Sequence, residues 1–266
     1  MRYVVSDVHG HRDELVEALR SAGLLDAAGH WSGGDATLWV LGDYVDRGPD
    51  GVGVVDLVMR LQGEAPRSGG RVGALMGNHE VLALGMHRFG DRPVRDAGGR
   101  EHAFSTSWAM NGGLPRDQAR LAPEHLAWLA ELPALARDGD WLLTHADTTE
   151  YLRWGASVPE VNAAVAAVTA SDDLPAWWDL WRGLTTRFAF QGPAGGDAAE
   201  QVLGALGGER LVHGHSIIAT LTGELPSRTT GPLWQAGGRA LAIDGGLYAG
   251  GPLLLVRLDD LEPPAS

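Results

Sequence analysis

Short apolar runs that stop abruptly at Asp, His or Asn recur along this chain, and that recurrence constrains the fold more than any other feature. Residues 3–6 read as a buried strand and run into Asp7 and His9. Residues 37–41 run into Asp43, Asp46 and Arg47, and residues 72–76 into Asn78 and His79. Residues 141–144 end at His145, residues 210–212 at His213 and His215, and residues 241–243 at Asp244. The first three runs are each followed by a helical pattern: 12–22, with Leu15, Val16, Ala18 and Leu19 on one stripe, then 52–61, then Glu80 onward. Strand–loop–helix repeated three times is the rhythm of an α/β sheet with helices packed on it. In such sheets ligands gather beyond the carboxyl ends of the strands. Six loops would converge there, carrying carboxylates, imidazoles and an amide. Any one of these residues alone reads as an ordinary turn or cap group; their joint placement points to a metal site.

Between these runs the pattern is less regular. Residues 88–101 are rich in Gly and Arg and are expected to form a mobile loop, with Asn78 and His79 in a loop before the third helix. A helix opened by proline is expected at 123–132, and helices at 157–190 carry Trp177, Trp178 and Trp181, which read as core. Residues 191–208 suggest a loop and a short helix, residues 253–258 a last strand, and residues 263–266 a frayed tail. No repeat or linker divides the chain. One domain over 1–262 is expected, with a variable helical and loop region at about 146–210.

The chain has no cysteine, which excludes disulfides, zinc–thiolate sites and a cysteine nucleophile. Metals must then be held by oxygen and imidazole donors, which suit Mn, Fe, Zn or Mg. The net charge is −13 and all 21 basic residues are Arg. An acidic chain without a basic run argues against non-specific nucleic-acid binding. Any phosphate clamp must be Arg, whose planar fork can hold two phosphate oxygens. The first residues lack the pattern of a signal peptide and no run approaches the ~20 apolar residues of a membrane span. No membrane partner and a cytoplasmic location are therefore expected.

The strings SDVHG, LGDYVDRG, GNHE, LLTHA and VHGHS, in that order over residues 6–216, resemble the signature of calcineurin-like metallophosphoesterases. GDYVDRG together with GNHE is similar to the phosphoprotein-phosphatase branch, which includes bacterial Ser/Thr phosphatases and symmetrical diadenosine tetraphosphatases. SWAMNGG at 107–113 and IDGGLYAGGPLLLVRL at 243–258 also resemble segments of bacterial members. The resemblance implies a fold of central mixed β-sheets, a sandwich flanked by helices, with two divalent metal ions, Mn foremost, at the strand ends. It implies that Asp7, His9 and Asp43 hold the first ion, and that Asp43 bridges to a second held by Asn78, His145 and His215. Ile217 stands where the wider superfamily often has a further His, which agrees with this branch. His79 would protonate the leaving group with Asp46 orienting its ring, Arg47 would grip the phosphate, and a metal-bridging hydroxide would attack.

A second phosphate-binding arginine is expected at Arg182, with Arg187 as the alternative. The substrate implied is a phosphorylated protein or a small phosphorylated molecule, handled by a monomer acting as a Ser/Thr or broad-specificity phosphatase. The competing reading is a symmetrical diadenosine tetraphosphate hydrolase that uses the same metal core. A non-catalytic module that kept the fold, or a nuclease of the superfamily, is disfavoured by the complete motif set and by the acidic charge. His213 is expected to be a polar strand residue and Asp244 to fix the last loop.

Overall fold

The computed structural model describes residues 1–96 and 98–264. Ala97, inside the segment expected as a mobile loop, and Ala265 and Ser266, in the tail expected to fray, lie outside the described residues.

Two mixed sheets carry the architecture. In the first, β1 (Arg2–Val5), β2 (Thr37–Val40) and β3 (Arg71–Ala74) are parallel, and β11 (Val256–Arg257) lies antiparallel on the outside of β1. In the second, β7 (Trp141–Thr144), β8 (Arg210–His213) and β10 (Ala240–Ala242) are parallel, with β6 (Leu135–Asp138) and β9 (Leu233–Gln235) antiparallel at the two edges. Side chains alternate along a strand, so each parallel strand feeds two layers. Val4, Trp39 and Leu41 of the first sheet meet Trp141, Leu143, Val212 and Leu241 of the second in one cluster between the sheets. Their neighbours Val5, Leu38, Val40, Leu142 and Leu211 belong to the larger outer core under the helices. The result is the helix-flanked sandwich that the motif resemblance implies.

The helices α1 (Arg12–Ser21), α2 (Gly51–Glu64) and α3 (Asn78–Phe89) follow the first three strands. Asp50 caps α2 by accepting from the Gly53 N–H at 3.1 Å, a stabilising arrangement for an otherwise unpaired donor. A ribbon of β4 (Val94–Arg95) and β5 (Glu101–His102) precedes α4 (Phe104–Met110), α5 (Pro115–Arg120) and α6 (Pro123–Ala130). Then come α7 (Val158–Thr169), α8 (Leu174–Thr185), α9 (Gly195–Leu206) and α10 (Ile218–Thr222). Among the described residues no helix is long and apolar enough to cross a membrane.

Several elements differ from their sequence-based expectation, each for a physical reason. Asn78 and His79 form the first turn of α3 instead of a loop, because Glu80 reaches back and accepts from the Gly77 N–H at 2.9 Å. The segment 88–101 is partly ordered into the end of α3 and the β4–β5 ribbon; Phe89 is buried against Phe104 and Trp177. Residues 195–206 make a helix of 12 residues with Ala199, Val202, Leu203 and Leu206 buried. The last strand shrinks to two residues, since only Val256 and Arg257 find partners on β1. The edge strands β6 and β9 were not anticipated: they are short and their polarity pattern is weak.

Where β2 ends, the backbone passes through Gly42 at φ 102°, and a Cβ there would lie 2.6 Å from the Gly77 nitrogen and 2.9 Å from His145 Nδ1. Neither the torsion nor the space admits a side chain. Gly42→Ala should destabilise the fold by roughly 2 kcal/mol or more and lower Tm by about 5 °C or more, as read by thermal unfolding. An unchanged Tm would show that the strand ends approach less closely than described.

Candidate metal centre

The loops after β1, β2, β7 and β8, with the first turn of α3, bring the expected residues to one place at the ends of both sheets. Asp7, His9, Asp43, Asp46, Asn78, His79, His145 and His215 are all buried, at 3 % exposure or less. Among the described non-glycine residues eight have left-handed backbone torsions; five of them belong to this set, Asp7, His9, Asp43, Asp46 and His215, and a sixth is the neighbouring Arg47. Such torsions are costly and collect where function overrides local preference.

Asp43 lies at the centre. Its Oδ1 accepts from the His79 backbone N–H at 3.0 Å, which seats the carboxylate at the N-terminus of α3, where helical N–H groups favour an anion. Oδ2 lies 3.4 Å from His9 Nε2, and Oδ1 lies 3.4 Å from His145 Nε2. Two sets of donor atoms within 4.8 Å of one another result, His9–Asp43–His79 and Asp43–His145–His215, with Asp43 common to both. Asp7 falls in neither set; its Oδ2 accepts from the His215 N–H at 2.8 Å. Asn78 turns its Oδ1 to His145 Nε2 at 3.0 Å.

The ring tautomers follow from the partners. His9 Nδ1 faces the Val45 carbonyl at 3.0 Å and His145 Nδ1 the Leu41 carbonyl at 2.8 Å. A carbonyl only accepts, so these nitrogens carry the hydrogens and each Nε2 presents a lone pair to Asp43. His215 is turned the other way, its Nε2 donating to the Thr185 carbonyl at 3.1 Å. Burial drives the His9 and His215 pKa values well below the ordinary imidazole value, with His79 acting on His9 and His145 on His215. For Asp43 burial alone would raise the carboxyl pKa, but His145, His79, His9 and His215 together outweigh it and hold the group below the usual carboxylate range. Neutral imidazoles and an ionised carboxylate whose lone pairs converge are the donor state that a divalent cation requires. The residues present therefore fit such a cation on each side of Asp43.

His79 is oriented through Nδ1, which donates to Asp46 Oδ2 at 2.8 Å. Burial by itself would lower the His79 pKa, yet Asp43 and Asp46 outweigh it and raise the value. Arg47 donates to His9 Nε2 at 3.0 Å and to His79 Nε2 at 3.1 Å, and its guanidinium stands 3.8 Å from the centre of the Tyr248 ring. Arg187 donates to the His215 carbonyl at 2.7 Å, so it borders the centre. Arg182 is exposed on α8 and lines a separate cavity with Trp178 and Trp181. His213 turns away, bonding Gln235 at 2.9 Å. Asp244 accepts from the Gly246 N–H at 2.8 Å and fixes its own loop; burial and the nearby Asp7 raise its pKa.

Three residues important to the site escaped the sequence reading. Trp108, on α4, donates its indole N–H to Asp46 Oδ1 at 3.0 Å and so fixes the carboxylate that orients His79. Asp147 accepts from the Ser216 hydroxyl at 2.6 Å and from the Phe188 N–H at 2.8 Å, tying together the loops that carry His145, Arg187 and His215. Glu80 accepts from the backbone N–H groups of Asp43, Tyr44 and Gly77, at 2.8, 2.8 and 2.9 Å. Burial, and then the charge of Asp43, push the Glu80 pKa up to about 7. The GNHE string contains Glu80, and its position three residues past Gly77 was the available signal.

A model of the family described as calcineurin-like phosphoesterase matches residues 2–217. The symmetrical bis(5'-nucleosyl)-tetraphosphatase of Cronobacter sakazakii is 30 % identical over 182 residues, which is 68 % of this chain and 54 % of that protein. Shewanella-like protein phosphatase 2 of Arabidopsis thaliana is 35 % identical over 80 residues, 30 % of this chain and 20 % of that protein. The chain thus spans about half or less of these curated relatives. A solved cold-active protein tyrosine phosphatase superposes with a TM-score of 0.70 at 22 % identity, covering 96 % of this chain and 72 % of that one, and shares its fold.

Glu80 supplies the one acceptor that three buried N–H groups share. Glu80→Ala should cost roughly 3 kcal/mol or more, at about 1–3 kcal/mol per unsatisfied buried donor. Urea unfolding reads this directly, and a loss under about 1 kcal/mol would mean that the loop after β2 has another anchor.

Proposed function

The chain belongs to the calcineurin-like phosphoesterase family, and on that footing we infer that it hydrolyses phosphate monoesters as a metal-dependent Ser/Thr or broad-specificity phosphatase, with 1–262 acting as one catalytic unit. The observation that carries this reading is the buried Asp43 carboxylate, whose two oxygens each face the lone pair of a separate imidazole at 3.4 Å. Asp7, His9 and Asp43 would hold one ion, and Asp43, Asn78, His145 and His215 the other. Two divalent cations, Mn foremost, would supply positive charge for the phosphate oxygens and lower the pKa of water from 15.7 to about 7.

The remaining steps fall to the chain's own side chains. Arg47 presents two N–H-bearing nitrogens towards the space between His9 and His79, where its fork can receive phosphate oxygens. Arg187, beside His215, is the nearer candidate for a second clamp, and Arg182 stands further out. His79 would carry the proton for the leaving oxygen at Nε2 once Arg47, which donates to that nitrogen here, turns to the phosphate; Nδ1–H is anchored on Asp46 and Asp46 on Trp108. Burial of the whole set excludes bulk water and strengthens each of these interactions.

A second reading, hydrolysis of a dinucleoside tetraphosphate, is favoured by Arg187 bordering the centre, since a longer phosphate chain calls for more guanidinium contacts. A panel of aryl phosphate, phosphoserine and phosphothreonine peptides and diadenosine tetraphosphate, each with Mn²⁺ and with chelator, tests both. Chelator-sensitive turnover of the monoesters supports the first reading. Preference for the dinucleotide replaces it with the second, and no turnover with any metal sinks the hydrolase reading.

Two substitutions separate the roles. His79→Asn should retain bound metal and lose about 10²–10⁴-fold in kcat, whereas Asp43→Asn should lose metal and turnover together; metal analysis beside kinetics distinguishes them. A His79 acid works while protonated, so kcat should fall as pH rises through its raised pKa. Asp46→Asn removes one of the carboxylates that raise it, and the fall should begin at lower pH; a limb that stayed in place would remove His79 from the acid's role.

A further inference from the structure

The turn at residues 46–47 places two consecutive non-glycine residues in left-handed torsions, Asp46 at φ 68° and Arg47 at φ 65°. Such a turn persists only where its surroundings over-determine it. The segment 111–120 supplies much of that constraint. The Gly112 carbonyl accepts from the Arg47 backbone N–H at 2.9 Å, and the Asn111 carbonyl accepts from Arg47 Nε at 3.3 Å. Arg116 donates to the Gly48 carbonyl at 2.8 Å, and Arg120 to Asp50 Oδ1 at 2.6 Å. α5 thus lies along the turn that carries both the carboxylate orienting His79 and the guanidinium of Arg47.

Asp117 stands between those two arginines in the sequence, and its place is harder to explain by packing. It is 2 % exposed, and among the described residues neither carboxyl oxygen makes a hydrogen bond of normal length and angle. Oδ2 rests against the bare face of Gly51 at the start of α2, where a Cβ would lie 2.5 Å from it and 3.0 Å from the Val45 Cα. Burial raises the Asp117 pKa; the Asp46 peptide N–H acts on the carboxyl in the opposite direction, and the Asp46 charge raises it again. Among the described residues no backbone carbonyl accepts from that N–H. A group needed only to fill this space would be apolar, since a buried carboxyl without full hydrogen bonding carries a desolvation cost. What a carboxyl adds is an oxygen beside an amide that the turn leaves without another acceptor.

We propose that Asp117 is a positioning residue for the acid: its carboxyl faces the Asp46 peptide N–H and holds the 46–47 turn, so that the Asp46 side chain stays between His79 and Trp108. The proposal rests on the phosphoesterase reading and concerns how the acid of that reading is held. Asp117 acts through Asp46, because the Asp46 carboxylate is what connects the turn to His79 Nδ1, at 2.8 Å, and to the Trp108 indole, at 3.0 Å. A general acid matters more as the leaving oxygen becomes more basic. A displaced Asp46 therefore slows an ester whose leaving oxygen needs a proton and spares one whose leaving oxygen does not, whereas loosened packing slows both alike.

The test uses Asp117→Leu, which keeps the side chain's bulk against Gly51 and removes the acceptor, and Asp117→Asn, which keeps an oxygen for the Asp46 N–H. Exchange of a buried charge for a hydrophobe of similar size is often neutral or stabilising, so both variants should unfold near the Tm of the unaltered protein. With Mn²⁺, kcat of Asp117→Leu for phenyl phosphate should fall roughly 10-fold or more, a part of what a general acid contributes, while kcat for 2,4-dinitrophenyl phosphate should fall less than about 3-fold. Asp117→Asn should keep most of both rates. A spectroscopic readout needs no turnover. In ¹H–¹⁵N spectra of the Mg²⁺-loaded chain, the Trp108 indole resonance, identified by its loss in Trp108→Phe, should move upfield in Asp117→Leu as its bond to Asp46 Oδ1 lengthens, and should stay in place in Asp117→Asn. Equal losses on the two esters, no loss on either, or an indole resonance unmoved by Asp117→Leu overturns the proposal. A chain that turned over neither ester would count against the hydrolase reading and leave the indole comparison to decide this one.

Discussion

The buried carboxylate of Asp43 is the interaction on which the rest of the structure depends. An ionised carboxylate removed from water is costly unless charge and hydrogen bonds replace its hydration. Here the His79 N–H at the start of α3 supplies one bond, and the lone pairs of His9 and His145 face the two oxygens, so that the proposed cations would supply the remaining charge. Much of the surrounding architecture serves that arrangement. Glu80 gathers three N–H groups so that the loop after β2 and the first turn of α3 share one frame. Gly42 and Gly77 admit the close approach: a Cβ on Gly77 would lie within the space of Asp43 Oδ1.

The same constraint explains why both sheets end at one place. Asp7 follows β1 in the first sheet and His215 follows β8 in the second, yet Asp7 Oδ2 accepts from the His215 N–H at 2.8 Å. Gly214 lets the two chains meet, since a side chain there would collide with Asp7 and Ser6. Asp147 extends the lattice outwards to Phe188 and Ser216. Strain is concentrated in these turns, where six donor-bearing or clamping residues hold left-handed torsions, and it is carried by the apolar sandwich beneath them.

Much of this was legible in the sequence because the donors sit at abrupt ends of apolar strands, and strand ends are where an α/β sheet presents its loops. The positions that converge at the strand ends followed from that pattern, and the sandwich class from the motif resemblance. What escaped has physical causes. Asn78 and His79 read as a loop because the residue that starts their helix, Glu80, acts through backbone hydrogen bonds and leaves no periodic trace. Trp108 lies 62 residues from the Asp46 it anchors, and no local pattern reports so distant a bond. The tryptophans of α8 read as plain core; Trp177 is core, but Trp178 and Trp181 also line a cavity beside the site. The edge strands β6 and β9 are too short for alternation to register. Between Arg182 and Arg187 the sequence offered no geometric criterion, and only the folded chain brings Arg187 against His215.

The measurement that bears most directly on the central claim is an anomalous-difference map from crystals of the chain grown with Mn²⁺. The account predicts two peaks per chain, about 3.5–4 Å apart, one on each side of the Asp43 carboxylate, with His9 against the first and His145 and His215 against the second. A single peak, or peaks that leave Asp43 untouched, would contradict it.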